Sequence, residues 1–397
     1  MIIQSLTIVL LLFAASAATY YLVLALFSIR NQPDITELGT DPQNTFAIVI
    51  PAHNEEEGIA DVVKACSNLD YPKAKFDMYV IADNCVDRTA QISKDNGALC
   101  LERHDPTNRG KGQALQWAFE HILPAGHDAI VVIDADCYLD SQALRVFDKY
   151  LEAGKAVLQA NDATSNLDDN VINYAVAVGN LIENKLFYAP KDKLGLAVFL
   201  RGTGMVFKRD VLLKYPWKAH SVAEDVEYAL NLIRNKITIY FVEEVHVTSE
   251  FPSNVKQLNT QRLRWASGNL KFSKTYSFKL IWEGIRQRNI TLVDAGWSLL
   301  VLSRPLVLLE LLVALLLGIL CYYWIPGPLS YSLLFAGVAV LIMQGLYFAA
   351  GIWLFGLNRK RLKLLLFSPF VIVKLMVISL FGLMGVKQTN WARTPRN

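Results

Sequence analysis

The chain lacks what a disulfide framework or a zinc site requires. Its five cysteines, Cys66, Cys85, Cys100, Cys137 and Cys321, form no CxxC pair, and the six histidines are dispersed. An odd, scattered set reads as reduced thiols in a cytosolic compartment. Charge is scarce too: 19% of the 397 residues are charged against 53% hydrophobic, and the formal net charge is only +3. That balance speaks against nucleic acid as a partner and for membrane segments. From Met1 to Ile29 there is no charged side chain. The apolar run Leu6–Phe27 is long enough to cross a bilayer. A secretory leader is the competing reading, because Phe13-Ala-Ala-Ser-Ala-Ala18 resembles a cleavage site. No basic segment precedes it, however, and the apolar run continues beyond it. Residues 1–30 are therefore expected to anchor the chain, with Arg30 placing the next section in the cytosol.

Residues 45–254 have the character of a soluble α/β domain. Apolar runs at Phe46–Ile50, Met78–Ala82, Ala129–Ile133, Ala156–Gln159 and Ile237–Val242 alternate with helical stretches. This alternation predicts a mostly parallel, Rossmann-like sheet covered on both faces. Over 255–294 the pattern changes. Leu258, Leu263, Trp265, Leu270 and Phe272 stand among many basic residues, which predicts helices lying on a membrane surface. Over 295–386 the chain is hydrophobic again, with spans expected at Leu299–Trp324 and Tyr331–Leu357. The basic loop Asn358–Lys363 follows on the cytosolic side. Leu364–Val386, with Pro369 and Lys374, could span or re-enter, and 387–397 reads as a cytosolic tail. Arg304 and Glu310 fall inside the first late span. They either face a polar interior or lie near the boundary and snorkel. The sequon Asn289-Ile-Thr291 is expected on the cytosolic side and unmodified.

The chemistry-bearing residues cluster at strand ends. Asp134-Ala-Asp136 follows a buried apolar strand, so both carboxylates emerge at the carboxyl edge of the sheet, where open α/β folds bind ligands. Residues two apart on an extended chain share a face, and two carboxylates can grip one hard cation, Mg²⁺ or Mn²⁺. Earlier strands end in Pro51-Ala52-His-Asn54-Glu55 and in Asp83-Asn-Cys85-Val-Asp87-Arg-Thr, with Arg109-Gly-Lys111-Gly beyond them. As a set these surround a cleft in which Asp83 could hold a uracil or ribose edge and Lys111 a phosphate. Taken singly, Asn54 and Asp87 suit helix starts equally well. Ala223-Glu224-Asp225 supplies a candidate general base. Neighbouring helical residues diverge, so only one of the two acids is expected to face the cleft, and Asp225 is preferred. In Gln261-Arg-Leu-Arg264-Trp265, positions 261, 264 and 265 share a helix face and Arg262 points elsewhere. That face could hold a diphosphate and stack a sugar ring.

Taken in order, these motifs resemble the family 2 glycosyltransferases of GT-A fold, specifically the membrane synthases of cellulose, hyaluronan, chitin and poly-N-acetylglucosamine. Asp134-Ala-Asp136 is similar to the metal-binding DxD, Ala223-Glu224-Asp225 to the TED motif with its catalytic Asp, and Gln261–Trp265 to QxxRW. Leu200-Arg-Gly202-Thr203-Gly204 looks like the acceptor-side loop, and Trp391–Arg396 like the cytosolic tail. His246 and Glu250 lie in a stretch like the one that leads to QxxRW. The resemblance implies an inverting, Mg²⁺- or Mn²⁺-assisted transfer from a UDP-sugar donor to a carbohydrate or lipid-linked acceptor, in a multi-pass protein of the cell membrane with its catalytic domain cytosolic. A processive polysaccharide synthase is the first expectation, and a single sugar added to a lipid or lipid-linked acceptor the second. An inactive membrane scaffold is a third. Ala223 stands where the motif has Thr, and Cys85 and Cys137 are expected to be small buried fillers. Three or four spans are few for a polymer channel, which points to a membrane partner subunit or homo-oligomer if the product is extruded.

Overall fold

The computed structural model describes residues 2–28, 41–250 and 255–384, without the side chains of 255–258, 260, 261 and 264. The tail motif Trp391–Arg396 lies outside the described residues. The chain opens with α1 (Ile2–Ser28) and then builds the sheet region. Its first half runs β1 (Phe46–Ala52), α2 (Ile59–Ser67), β2 (Phe76–Asp83), α3 (Thr89–Asp95), β3 (Leu99–Arg103), α4 (Lys111–Ile122), β4 (Ala129–Val132), β5 (Cys137–Leu139) and α5 (Ala143–Glu152). Its second half runs β6 (Val157–Thr164), α6 (Val171–Glu183), α7 (Ala189–Lys193), β7 (Met205–Lys208), α8 (Arg209–Lys214), α9 (Glu224–Arg234) and β8 (Tyr240–Ser249). Five helices follow: α10 (Val255–Gln287), α11 (Ile290–Val301), α12 (Arg304–Trp324), α13 (Pro328–Phe355) and α14 (Arg359–Leu383).

The eight strands form one sheet in the order β3-β2-β1-β4-β7-β6-β8-β5. β1 pairs in parallel with β2 and β4, β2 with β3, and β6 with β8; β7 and β5 run against their neighbours. The fold is therefore α/β with a mixed, mostly parallel sheet. Phe46, Ile48 and Ile50 pack into one hydrophobic layer, and Ala47 and Val49 into the other, so β1 is apolar throughout because both its faces are covered. The strand runs expected from the sequence recur with shifted limits. β6 extends to Thr164 through the polar Asn161 and Asp162, and β8 begins at Tyr240, not Ile237. Three strands had no sequence expectation. β3 lies at the sheet edge with Leu99 exposed, β7 has four residues and β5 three, so none presents a long apolar run.

Four helices, α1, α12, α13 and α14, are long and apolar enough to cross a membrane. α1, α12 and α13 pack around Leu11, Ala14, Ala18, Leu311, Ala314, Leu333 and Val340. Far from the sheet, Gln4 Nε2 donates to Ser330 Oγ at 3.1 Å; near it, the Tyr21 and Tyr347 rings stack at 5.1 Å. α1 and α13 thus run toward the sheet and α12 away from it. The chain breaks at Leu302–Ser303, so the first late span starts at Arg304 and not at Leu299. Arg304 does not snorkel. Its guanidinium faces inward, 3.4 Å from Glu183 and over the rings of Phe187 and Tyr21. Both ends of α14 contact the sheet-side part of the molecule. Arg361 and Lys360 bind the Asp168 carboxylate at 2.9 and 3.1 Å, while Ser379 meets Ser303 at 3.2 Å and Lys274 of α10 donates to the Leu383 carbonyl. The helix continues through Pro369, and its outer face is a stripe of exposed apolar residues: Leu362, Leu366, Phe370, Val373, Val377 and Phe381.

α10 and α11 form an antiparallel pair, with Asn289 of the sequon capping α11 through the Thr291 and Leu292 amides. α11 also joins the sheet region to α1. Asp294 accepts hydrogen bonds from Tyr20 at 2.6 Å and from the Ala197 amide at 2.9 Å, and pairs with the fully buried Lys191 at 3.0 Å. Burial depresses the Lys191 pKa and the Asp294 carboxylate opposes the fall. Removing one partner leaves an uncompensated buried charge, so Lys191→Ala is expected to cost about 3–5 kcal/mol, read as a lowered melting temperature in detergent. Lys191→Met with Asp294→Leu should recover part of that loss; equal melting of Lys191→Ala and the native protein would rule the pair out as a structural tie.

Candidate active site

β1, β2 and β4 lie side by side, and the polar clusters anticipated from the sequence hang from their carboxyl ends. One cavity of about 1250 Å³ gathers Pro51, Ala52, Glu55, Asp83, Lys111, Asp134 and Asp136 with Gly202, Thr203, Glu224, Asp225 and Trp265. Gly204 lies just beneath that surface, against Ala160 and Val247.

Two loops build the near wall. Taken singly, Asn54 and Asp87 suit helix starts; the caps of α2 and α3 are Gly58 and Arg88, although Asp87 does accept from the amide of Thr89, the first residue of α3, at 3.0 Å. Asn54 instead accepts from the Val86 amide at 2.8 Å, and Asp87 from the Glu56 amide at 3.1 Å, so each residue ties one strand-end loop to the other. Asn54 achieves this at φ 55°, a left-handed conformation that Asn tolerates. Cys85 is only half buried and accepts from the Asn54 amide at 3.3 Å, whereas Cys137 is buried as expected of a filler. Asp83 is held by Arg103 of β3 at 2.6 Å; burial raises its pKa and Arg103 opposes the rise.

The floor is acidic. Carboxylate oxygens of Asp134 and Asp136 and the Cys137 thiol all lie within 4.8 Å of one another. Burial and the two carboxylates push the thiol pKa well up, so it stays a neutral S–H, and it donates to Asp136 at 3.6 Å. The hard donors are thus the two carboxylates, a set that suits Mg²⁺ or Mn²⁺. Lys111, the first residue of α4, donates to Asp134 and to the Gly202 carbonyl, the latter at 2.8 Å. Burial works against its charge, but Asp134 and Glu224 outweigh that and raise its pKa.

Gly202-Thr203-Gly204 underpins this floor. Thr203 Oγ1 accepts from the Asp134 amide at 3.2 Å, and the Thr203 carbonyl from Gln159 at 2.9 Å. Gly204 has φ +64°, and a Cβ there would stand 2.6 Å from Val247 Cγ2 and 2.8 Å from Ala160 Cβ. Gly204→Ala is therefore expected to destabilise by about 1–3 kcal/mol and to lower turnover by shifting Thr203 beneath Asp134. Gly195→Ala separates clash from backbone strain, because φ is +66° there with nothing within 4 Å. Equal melting temperatures for the two variants would remove the clash as the cause.

Both acids of the Glu224–Asp225 pair border the cavity, where the sequence suggested only one. They are the first two residues of α9, next to a wide opening that both can reach. Asp225 Oδ1 accepts from the Val226 amide at 2.8 Å, and Oδ2 sits 3.5 Å from where a Gly202 Cβ would be. Burial raises both carboxyl pKa values; the Asp225 charge raises Glu224 further and Lys111 counteracts in each.

Among the described side chains, α10 faces the cavity with Arg262, Trp265, Ala266, Asn269 and Leu270, spaced i, i+3, i+4, i+7 and i+8. Arg262 therefore does not point elsewhere but shares the cavity face with Trp265. Its guanidinium lies 5.0 Å over the Trp265 ring. The side chains of Gln261 and Arg264 lie outside the described residues. Glu250 lines the cavity, while His246 bonds to Asp140 at 3.1 Å and does not line it. At the far end the cavity continues past Asp162, Asn180, Glu183, Arg201 and Arg304, none of which had been assigned to the site. Two of them carried a signal: Arg304 as a charge inside an apolar span, and Arg201 as a member of the Leu200–Gly204 stretch.

A family model for glycosyltransferase-like family 2 matches residues 42–268. The chain belongs to this family. Beyond the matched region, the described residues hold four candidate membrane helices. A probable glycosyltransferase of Sulfolobus acidocaldarius is 26% identical over 66% of the chain and 58% of its own length. A beta-monoglucosyldiacylglycerol synthase of Nostoc sp. is 28% identical over 56% of the chain and 48% of its own length. The UDP-forming cellulose synthase catalytic subunit of Komagataeibacter sucrofermentans is 26% identical over 68% of the chain and 37% of its own length. The chain thus spans about half the length, or less, of these relatives. A solved mannosyltransferase from Pyrobaculum calidifontis, in complex with GDP-mannose and Mn²⁺, aligns with TM-score 0.61 at 15% identity over 97% of this chain and 100% of its own, and so shares the GT-A fold.

Proposed function

We propose that the protein transfers one sugar, with inversion, from a nucleoside diphosphate sugar, preferably a UDP-sugar, to the hydroxyl of an acceptor presented at the membrane. The observation that carries this is the convergence of Asp134, Lys111 and Asp225 around Gly202 in one cavity. Asp225 takes the acceptor proton as the acceptor oxygen bonds to the sugar's anomeric carbon; the bond from that carbon to the diphosphate breaks, and the nucleoside diphosphate leaves with its electron pair. Asp134 and Asp136 would hold Mg²⁺ or Mn²⁺, which supplies neutralising charge to the diphosphate. Lys111 offers a second fixed cation beside them, Pro51, Ala52, Glu55 and Asp83 bound the nucleotide side, and Trp265 offers an aromatic face to the sugar ring. The cellulose synthase relative is named as UDP-forming, and the mannosyltransferase of like fold binds Mn²⁺ with its donor.

Single addition is favoured over processive synthesis by the extent of the cavity. Among the described residues it touches α12 only at Arg304, Pro305 and Leu308, and α13 only at Phe348 and Ile352, the sheet-side ends of both helices. A growing polymer would need a passage along the whole bundle. Single addition requires neither that passage nor a partner subunit or homo-oligomer. The bilayer reading follows suit: α1, α12 and α13 cross the cell membrane, α14 lies along its cytosolic face, and Arg359, Lys360, Arg361 and Lys363 favour the cytosolic side.

The test is nucleoside diphosphate release from protein in nanodiscs, screened over UDP-glucose, UDP-galactose, UDP-N-acetylglucosamine, UDP-glucuronate and GDP-mannose, with products sized. Metal-dependent release and a one-sugar adduct are expected. A ladder of long products would overturn single addition, and no release with any donor would overturn the transferase reading.

A further inference from the structure

The cavity is larger than the roughly 300–1,000 Å³ that encloses one small ligand, and it has two chemically distinct ends. Beyond the acid cluster it passes a group of buried charges, then opens among Leu308, Phe348, Ile352, Leu365, Ile372 and Leu375. Those six residues come from α12, α13 and α14, all apolar enough for a bilayer. No sugar or nucleotide needs such a lining, whereas hydrocarbon does.

The charges at the junction are unevenly paired. Arg201 pairs with Asp162 at 3.3 Å and Arg304 with Glu183 at 3.4 Å. Arg262 is the third guanidinium there and forms no ion pair of its own among the described residues. Its Nε, and that of Arg304, are buried without a hydrogen-bond partner among the described residues. Among the described residues, three guanidiniums thus share the two carboxylates of Asp162 and Glu183, and two Nε–H donors lack an acceptor. An unsatisfied buried donor of a charged group is costly unless a ligand supplies the oxygen. The wall is also locally unwound beside this point. α6 passes into α7 through a π-helical turn at Asn184–Tyr188, and Asn184 bonds both Arg201 and the Asp162 carbonyl. Such turns favour functional sites.

We infer that the acceptor is a membrane lipid in which a phosphate joins the hydrocarbon to a hydroxyl-bearing head. The phosphate is held by Arg262 and Arg304, the hydrocarbon lies between α12, α13 and α14, and the hydroxyl reaches Asp225. The assignment rests on the transfer reading above and specifies its acceptor. Phosphatidylglycerol and a prenyl-diphosphate-linked sugar share this chemistry; diacylglycerol and glucosyldiacylglycerol do not.

Binding tests it without turnover. Short-chain phosphatidylglycerol and short-chain diacylglycerol, each titrated against the full chain in detergent, are compared by calorimetry. The anionic lipid is expected to bind at least tenfold tighter. Arg262→Gln should abolish that preference and Arg262→Lys should retain it, while Ile372→Trp should weaken both lipids by filling the apolar arm. Equal binding of the two lipids, or a preference that survives Arg262→Gln, would overturn the inference. Transfer into vesicles carrying phosphatidylglycerol, prenyl-diphosphate-linked N-acetylglucosamine or glucosyldiacylglycerol then tells the sources apart. Donor turnover with the neutral lipid as the preferred acceptor would sink this assignment and leave the transferase standing. Phosphatidylglycerol binding without turnover on any donor would do the reverse.

Discussion

Asp225→Asn is expected to bind the nucleotide sugar as the native protein does and to transfer it about 10²–10⁴-fold more slowly, the range a positioned general base contributes. The substitution keeps the shape of the side chain and an oxygen for the Val226 amide, so the local geometry of the first turn of α9 survives. It removes the basic carboxylate beside Gly202. Glu224 is adjacent and lines the same cavity, but its own burial and the neighbouring Asp225 charge hold its pKa up. In the variant that neighbouring charge is gone, so the Glu224 carboxyl titrates lower than in the native protein. Single-turnover rates with saturating donor, alongside donor affinity from calorimetry, separate the two effects. A rate within tenfold of native would exclude Asp225 as the base and give that part to Glu224.

The sequence was most informative where burial leaves an unbroken signature. β1 and β4 are wholly apolar because both faces of a parallel strand are covered, and the acids that follow them could be assigned to a sheet edge from that alone. Strands with other signatures did not stand out. β8 alternates buried and exposed positions and pairs with the three-residue β5, while β3 is an edge strand whose Arg103 turns out to hold Asp83. The place of Arg262 in the cavity was hidden for another reason. Spacing fixes which residues share a helix face, but only packing decides which face meets the cavity, and that choice brought Arg262 in. Glu183 and Arg304 illustrate the same limit. They lie 121 positions apart on separate helices, and no local pattern predicts that they meet. α14 had been left between spanning and re-entry, because its composition fits either. Its ends are held by residues distant in sequence: Asp168 takes Lys360 and Arg361 at one end, and Ser303 and Lys274 hold the other.

Asp134→Asn is the second substitution expected to stop the reaction, for a reason distinct from the base. Asp134 is the carboxylate on which three separate contacts depend: Lys111 donates to it, its amide is fixed on Thr203, and its oxygens cluster with those of Asp136. An amide at this position halves the charge available to a divalent cation and leaves Lys111 nearer an excess of positive charge. Loss of one preorganised charge that stabilises a departing diphosphate costs about 10²–10³ in rate. Chelation of the native protein should produce a loss of similar size, reversed by Mn²⁺ or Mg²⁺; the variant should show no further loss on chelation and no recovery with metal. Folding is checked by melting temperature, since Lys111 retains the Gly202 carbonyl. If Asp134→Asn kept its stimulation by Mn²⁺, the two carboxylates would not be the metal site, and the Lys111–Asp134 pair would be a structural tie between α4 and the end of β4. The chelation arm distinguishes these outcomes because a purely structural pair responds to the substitution and not to the chelator.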